Sequence, residues 1–301
     1  VVSDSCQLFA RVRVARNAAT GPRDLILANR GEYGESFILP GGFVVENPRP
    51  DCSGFSPTVG ALFQKLEVTF NGSGFIAGES KVDFGAGINI DSTWCDSSGC
   101  ELKTVVSVVP DAGCGLRTVT VRNNGPGGGA AMLPDAFSVV FPAPALSSVS
   151  PACAYRGQSL EITLSGANFV SGASLVSLLP GIRVDSLGVK SSSVLGAKIT
   201  VAPDAVIGAR TILVSNPAPG GGSARLPHVL NVENGAPSVG SVSPSFAPRG
   251  ESTALTISGD NFYPGITSLD MGADIQIDSV RIESRSRLFA VVTPRSDAAT
   301  E

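Results

Sequence analysis

The chain has 301 residues, of which 35 are Gly and 21 Pro, with 16% charged residues and a formal net charge of −4 at pH 7. An acidic pI of about 5.2 without any run of Lys or Arg leaves no electrostatic footprint for nucleic acid or an anionic membrane surface. No apolar stretch approaches the length of a bilayer span, so no membrane insertion is expected in this segment. Few aromatics, and Val, Ile, Leu, Ser and Thr between turn residues, are the composition of an all-β protein built from many short strands.

In chain order, residues 1–50 look like the back half of a unit: residues 8–14 and 25–28 read as strands, Gly21-Pro22 as the turn between them, and residues 37–45 as a last strand after a Gly-rich tip. Residues 51–144 form a complete unit. Leu66-Glu67-Val68-Thr69-Phe70 alternates apolar and polar, residues 81–84 and 88–91 follow, and residues 102–109 with 119–122 are expected to make the opposite sheet. Asn123-Asn124-Gly125-Pro126-Gly127-Gly128-Gly129 supplies a turn that glycine-rich backbone makes readily. Residues 145–237 repeat the plan after a linker with two prolines, Pro142 and Pro144, expected to be semi-rigid. Residues 238–301 give the first two thirds of another copy.

The repetition is direct. Pro151 returns as Pro57 and Pro244; the corner from Gly166 to Phe169 returns as Gly72 to Phe75 and Gly259 to Phe262; Gly208 returns as Gly21 and Gly115; Leu226-Pro227 returns as Leu39-Pro40 and Leu133-Pro134. The offset is 93 or 94 residues, the size of a small domain rather than of a solenoid repeat. The expected architecture is therefore a rod-like array of small, tandem all-β domains. Leu288-Phe289-Ala290 also matches Leu8-Phe9-Ala10 at an offset of 280, three periods, so the chain starts and stops near the same point of the repeat. That is expected of a window from a longer repetitive protein. The alternative is a polymer in which one chain's front half is completed by another's back half, although the strands near Leu8 and Leu288 would then compete for one place.

Ser243-Pro244-Ser245-Phe246-Ala247-Pro248-Arg249-Gly250, Leu255-Thr256-Ile257-Ser258-Gly259-Asp260-Asn261-Phe262, Pro203-Asp204-Ala205 and Val214-Ser215-Asn216 resemble the bacterial branch of the IPT/TIG immunoglobulin-like domains. The resemblance implies a sandwich of about seven strands per unit, used as a spacer or adhesive module of secreted and cell-surface proteins. The basic loops of DNA-binding relatives are missing, and the cysteines depart from the pattern.

Candidate chemistry is sparse. The single histidine, His228, stands where other copies have Gly41 and Asp135, which marks a loop residue before the last strand; no catalytic residue, cofactor site or metal site is expected. The tips at Gly125 to Gly129 and Gly220 to Gly222 lack the Lys-Ser/Thr and helix of a phosphate loop. Asp83, Asp91 and Asp96 have no spacing resembling a calcium loop.

Six cysteines, Cys6, Cys52, Cys95, Cys100, Cys114 and Cys153, point to an oxidising compartment and to disulfides: Cys95 with Cys100 across a turn, or Cys52 with either, the pairing left open among all six. Asn71-Gly72-Ser73 matches a glycosylation acceptor, but the same spot carries the Gly166 and Gly259 corners, so a structural turn explains it better. The expected function is a non-catalytic extracellular rod or filament whose partners are other copies or neighbouring domains. The alternative is an adhesin stalk, or accessory modules holding a glycan or surface protein, for which Trp94 is the best single contact and Tyr33, Tyr155 and Tyr263 the only other large polar aromatics.

Overall fold

The computed structural model describes residues 2–4, 7–29, 31, 34–178 and 180–298. Every regular element among them is a strand, and most are short, as period-2 runs punctuated by Gly and Pro require. The first residues hold β1 (Val2–Asp4), β2 (Gln7–Leu8), β3 (Gly21–Ala28) and β4 (Ser36–Val45). Next come β5 (Asp51–Ser56), β6 (Val59–Ala61), β7 (Lys65–Ser73), β8 (Lys81–Asp83), β9 (Ile88–Cys95), β10 (Glu101–Val108), β11 (Gly115–Asn123) and β12 (Gly129–Val140). The same eight recur as β13 (Ala145–Ser150), β14 (Cys153–Tyr155), β15 (Ser159–Ala167), β16 (Leu175–Ser177), β17 (Ile182–Ser191), β18 (Val194–Val201), β19 (Gly208–Asn216) and β20 (Gly222–Glu233). The chain closes with β21 (Ser238–Ser243), β22 (Thr253–Asp260), β23 (Ile275–Ser284) and β24 (Arg287–Pro294).

Two complete sandwiches result. One sheet runs β5-β7-β10-β9 and faces another running β6-β12-β11-β8; the next unit repeats this as β13-β15-β18-β17 facing β14-β20-β19-β16. Written A to G along the chain, the order is ABED against a CFG sheet, the immunoglobulin constant-type arrangement, with a short strand after the first proline pairing parallel to the last strand. The fold class expected from the sequence, all-β tandem immunoglobulin-like sandwiches, is what is found. Two sheet assignments differ: residues 102–109 belong with β7, because β10 pairs β7 and β9, and residues 81–83 lie in the opposite layer, where β8 pairs β11 beside β12. Alternation alone cannot distinguish these sheets, since each strand shows one apolar face in either layer.

The inner faces supply the cores. In the first complete unit Val68, Phe70, Leu102, Val106, Val119, Val121, Phe137 and Val139 are buried, and the rings of Phe84 and Phe137 meet edge to face at 4.9 Å. In the second, Ile162, Leu164, Leu195, Ile199, Ile212, Val214, Leu230 and Val232 occupy the equivalent places. The Gly-x-x-Phe corner is structural in each copy. A Cβ on Gly72, Gly166 or Gly259 would overlap the carbonyl oxygen of Asp51, Ala145 or Ser238, and the ring of Phe75, Phe169 or Phe262 closes over it. The Asn71-Gly72-Ser73 spot is thus fixed by backbone approach.

Strands β3 and β4 form an isolated hairpin and β21-β22-β24-β23 a single sheet. Residues 9–14, expected to continue a strand from Leu8, are irregular beyond β2, whereas the equivalent β10 is held between β7 and β9; among the described residues no strand flanks 9–14 in this way. The expected hairpin readings of Gly125 to Gly129 and Gly220 to Gly222 hold, each tip joining the last two strands of its unit.

Candidate functional site: the joints between sandwiches

The features that recur between copies beyond the core lie where one unit meets the next. Residues 45–50 lead into the first complete unit and are gripped by the tip between β11 and β12. The Asn47 amide donates to the Pro126 carbonyl at 2.9 Å and Gly128 N–H donates to the Asn47 carbonyl at 2.6 Å, a parallel backbone bridge. Glycine is required for this approach. At Gly127 φ is 71° and at Gly128 72°, in the left-handed region that side chains resist, and a Cβ on Gly127 would meet the Asn47 carbonyl at 2.7 Å. The second joint is the same device: Phe141 N–H donates to Pro219 at 2.9 Å and Gly221 N–H to Phe141 at 2.7 Å.

Beneath each tip sits a buried asparagine at the end of the preceding strand. Asn123 donates through Nδ2 to the carbonyls of Pro48 (2.8 Å) and Gly74 (2.7 Å), and its Oδ1 accepts from Ser80 Oγ at 2.6 Å. Asn216 repeats every bond, to Pro142 (2.8 Å), Asn168 (2.9 Å) and from Ser174 (2.6 Å). The serine in turn accepts an N–H from Ile76 or Val170. One amide therefore ties the linker, the Gly-x-x-Phe corner and the third strand together, with both donors and the acceptor satisfied away from water.

The third joint is built differently. Tyr263, where the earlier copies have Ile76 and Val170, is buried, and its hydroxyl accepts from Gly235 N–H at 3.3 Å and from Arg285 Nη2 at 3.0 Å. Arg285 and Arg156 both lie against its ring, at 5.2 and 5.8 Å from the centroid. Arg156 belongs to the preceding sandwich and also donates to Asn234 Oδ1 at 3.3 Å, so a tyrosine stacked by two guanidiniums spans the joint.

No disulfide joins the described cysteines: Cys52, Cys95, Cys100, Cys114 and Cys153 are free thiols, so the expected disulfides find no support among them; Cys6 lies outside the described residues. The sheet order gives the reason for Cys52: β5 and β9 are at opposite edges, three strand spacings or about 14 Å apart, well over the roughly 7 Å a bridge spans. The turn from Cys95 to Cys100 is closed by Asp96 instead, whose carboxylate accepts from the backbone of Ser98, Cys100 and Glu101 and is held down at a pKa of about 2, the Ser98 hydroxyl contributing most. Burial, with Asp51 beside it, pushes the Cys52 thiol up to about 11; burial likewise raises Cys95, Cys114 and Cys153. Raised thiols are weakly nucleophilic.

The other sequence candidates are scattered. His228 lies within β20, not in a loop before it, at the bulge where the register slips between Arg210 and Ile212. Its φ is 56°, as Asp135 has 51° and Gly41 62° at the equivalent position. Asp91 bonds Lys65 and Ser107, Asp83 caps Gly85 N–H, and the described residues contain no group of three metal-ligating side chains. Trp94 is exposed opposite Lys103 and Tyr155 is exposed on β14 of the next unit, while Tyr263 is buried in the third joint and Tyr33 lies outside the described residues. No described aromatics gather into a platform. The joint asparagines were visible as the repeated Val-x-Asn, but their role needs the third strand and linker brought alongside.

No family model matches the chain and no curated protein is similar to it. Among solved structures it is similar to FdeC, an Escherichia coli adhesin (16% identity, covering 82% of this chain and 90% of that one, TM-score 0.28). It is also similar to the adhesin InvE of Yersinia pseudotuberculosis (10% identity, 77% and 71% covered, TM-score 0.38) and to an ICAM-5 D1–D4 ectodomain fragment (11% identity, 93% and 85% covered, TM-score 0.34).

Proposed function

We propose that this chain is a non-catalytic structural repeat protein, a stiff rod of immunoglobulin-like sandwiches of the IPT/TIG kind that works as a spacer outside the cell. The observation that carries the reading is the repeated joint: in both complete units the glycine tip and the buried asparagine hold the incoming linker by backbone and side-chain hydrogen bonds. A linker held on both faces fixes the angle between neighbours, and reach and stiffness follow. A secreted or cell-surface location follows from the family resemblance; free thiols give no independent support for an oxidising compartment. The 12 residues of β12 or β20 would span about 40 Å, so successive units add roughly that length each.

Small-angle scattering on the monomeric chain tests this. A compact body of this length has a radius of gyration of about 19 Å; a stiff array should exceed about 30 Å, and a value near the compact one sinks the reading. A second reading, an accessory module that holds a ligand, is favoured by one feature. A cavity of about 480 Å³ lies between residues 14–20, the linker at Glu46 to Pro48, and the loops at Phe75 and Asp96. Saturable glycan binding lost on filling this cavity would move the assignment to that class.

A further inference from the structure

One cross-strand position on the outer face of the ABED layer differs in kind between the sheets. Strands β9 and β10 set Trp94 opposite Lys103. Strands β23 and β24 set Arg281 opposite Phe289, with the guanidinium 5.5 Å from the ring centroid. In the sandwich of residues 145–237 the same pair is Gly188 opposite Gly196. A ring and a cation are thus replaced by two residues without side chains, inside paired strands where glycine weakens a sheet and often marks the close approach of another group. Neither glycine takes a left-handed φ, and a Cβ on Gly188 would meet nothing within 4 Å. The fold of the unit therefore does not demand glycine at 188.

The two glycines line a groove of about 640 Å³. Lys190 Nζ reaches Glu161 Oε1 at 3.3 Å, over the space that a side chain on Gly196 would use, and Lys198 lines the same groove. Its rim carries one carboxylate and two ammonium groups. The face around Trp94 has the opposite make-up, because Lys103 bonds Glu101 at 3.2 Å and Glu67 at 3.9 Å, one ammonium with two carboxylates. Trp94 itself is 43% exposed. Among the described residues no ring and no cation stacks on its indole.

We propose that the Trp94 face of one chain docks in the Gly188–Gly196 groove of a second copy, the indole lying on the glycine backbone. Charges of opposite sign then meet on both faces: Glu67 and Glu101 face Lys190 and Lys198, and Lys103 faces Glu161. Lys190 supplies the cation that Lys103, turned to its two glutamates, does not give the ring. The groove thus regains between chains the aromatic and cation that the other sheets hold within one. The occupant is a second copy because each chain carries both halves of the contact, on neighbouring complete sandwiches. Two chains side by side and antiparallel close after two such contacts, whereas chains shifted by one unit leave a face and a groove free and continue to add. This gives the rod a lateral partner and rests on the rod reading for its biological sense.

Trp94 is the single tryptophan of the chain, so its fluorescence reports the contact. In sedimentation velocity over a range of concentrations the wild type should form multiples of 30.6 kDa. Its emission should move to shorter wavelength as they form, and added salt should weaken them. Gly188→Thr fills the groove with a good strand former; it should weaken association about tenfold or more, with circular dichroism unchanged and the monomer's melting temperature equal or raised. One variant with Lys190→Glu and Lys198→Glu, and another with Glu67→Lys and Glu101→Lys, should each be monomeric alone, since like charges then face each other. Mixed, they bring opposite signs together again and should associate. A wild type that stays monomeric, oligomers that survive Gly188→Thr, an emission that does not move on association, or a charge-reversed mixture that stays monomeric overturns the proposal. A monomer with an extended scattering profile would do so while leaving the rod reading standing.

Discussion

The sandwich of residues 145–237 and the sheet of residues 238–298 are built from the same first strands, and they part where the hairpin is present or absent. With β19 and β20 in place, β14 and β16 form, Ala154 is fully buried and Asn216 closes the joint. Among the described residues the sheet of 238–298 has no such hairpin, Ala247, the equivalent of Ala154, is only half-buried, and residues 268–270 make no strand. The lesson is that the two short edge strands are consequences of the last hairpin rather than independent elements. A run of three residues cannot offset its own ordering entropy unless a partner strand is waiting.

The largest expected contrast is in core truncation. Leu164→Ala, between two sheets, should cost about 3–5 kcal/mol, whereas Ile257→Ala, at the equivalent place in the last sheet, should cost less, about 2–3 kcal/mol, because the buried cluster around it is smaller. Urea unfolding followed by a probe in each unit separates the two; equal costs would mean that cluster size does not set the loss. The joint comes next. Asn216→Ala removes one amide and strands two carbonyls and a hydroxyl, and should destabilise its unit by about 2–4 kcal/mol, while Asn29→Ala, at the exposed equivalent position, should change monomer stability by under about 0.5 kcal/mol. His228→Gly relieves a left-handed backbone at φ 56° and should add about 0.5–1 kcal/mol, measurable as a raised melting temperature.

Smaller effects follow from titration. Asp96 is held at about 2 and ordinarily titrates near 3.8, so its contribution is complete above pH 4 and is lost as pH falls towards 2; Ser98→Ala should move that loss upward in pH. Cys52, raised from 9.0 to about 11, favours the folded state only while protonated, so its contribution fades as pH rises from 9 to 11. In alkylation at pH 8, exposed Cys100 should react first and half-buried Cys52 last among the five described thiols, read by mass spectrometry.

Much of this was legible in the residues. Pro57, Pro151 and Pro244, the Gly-x-x-Phe corners and the Leu-Pro bulges recur at fixed offsets, and they point to the period and the all-β class. The membership of β10 was misread because alternation reports a buried face and not which layer it belongs to. The disulfide expectation failed for Cys52 because sequence spacing does not show that β5 and β9 lie at opposite edges of one sheet. Asn123 reads as a turn residue and Asn216 as the end of a strand; the role of both depends on Ser80 and Ser174, which lie 43 and 42 residues away along the chain.

The central claim is that the joints are held, and amide hydrogen exchange reads them directly. The N–H groups of Asn47, Gly128, Phe141 and Gly221 donate across the linker contacts, so they should exchange as slowly as amides inside β11 and β19, and Asn216→Ala should speed Phe141 and Gly221 while leaving Asn47 and Gly128 unchanged. Exchange of all four at the rate of an unstructured peptide would contradict the account and make the array a string of freely hinged domains.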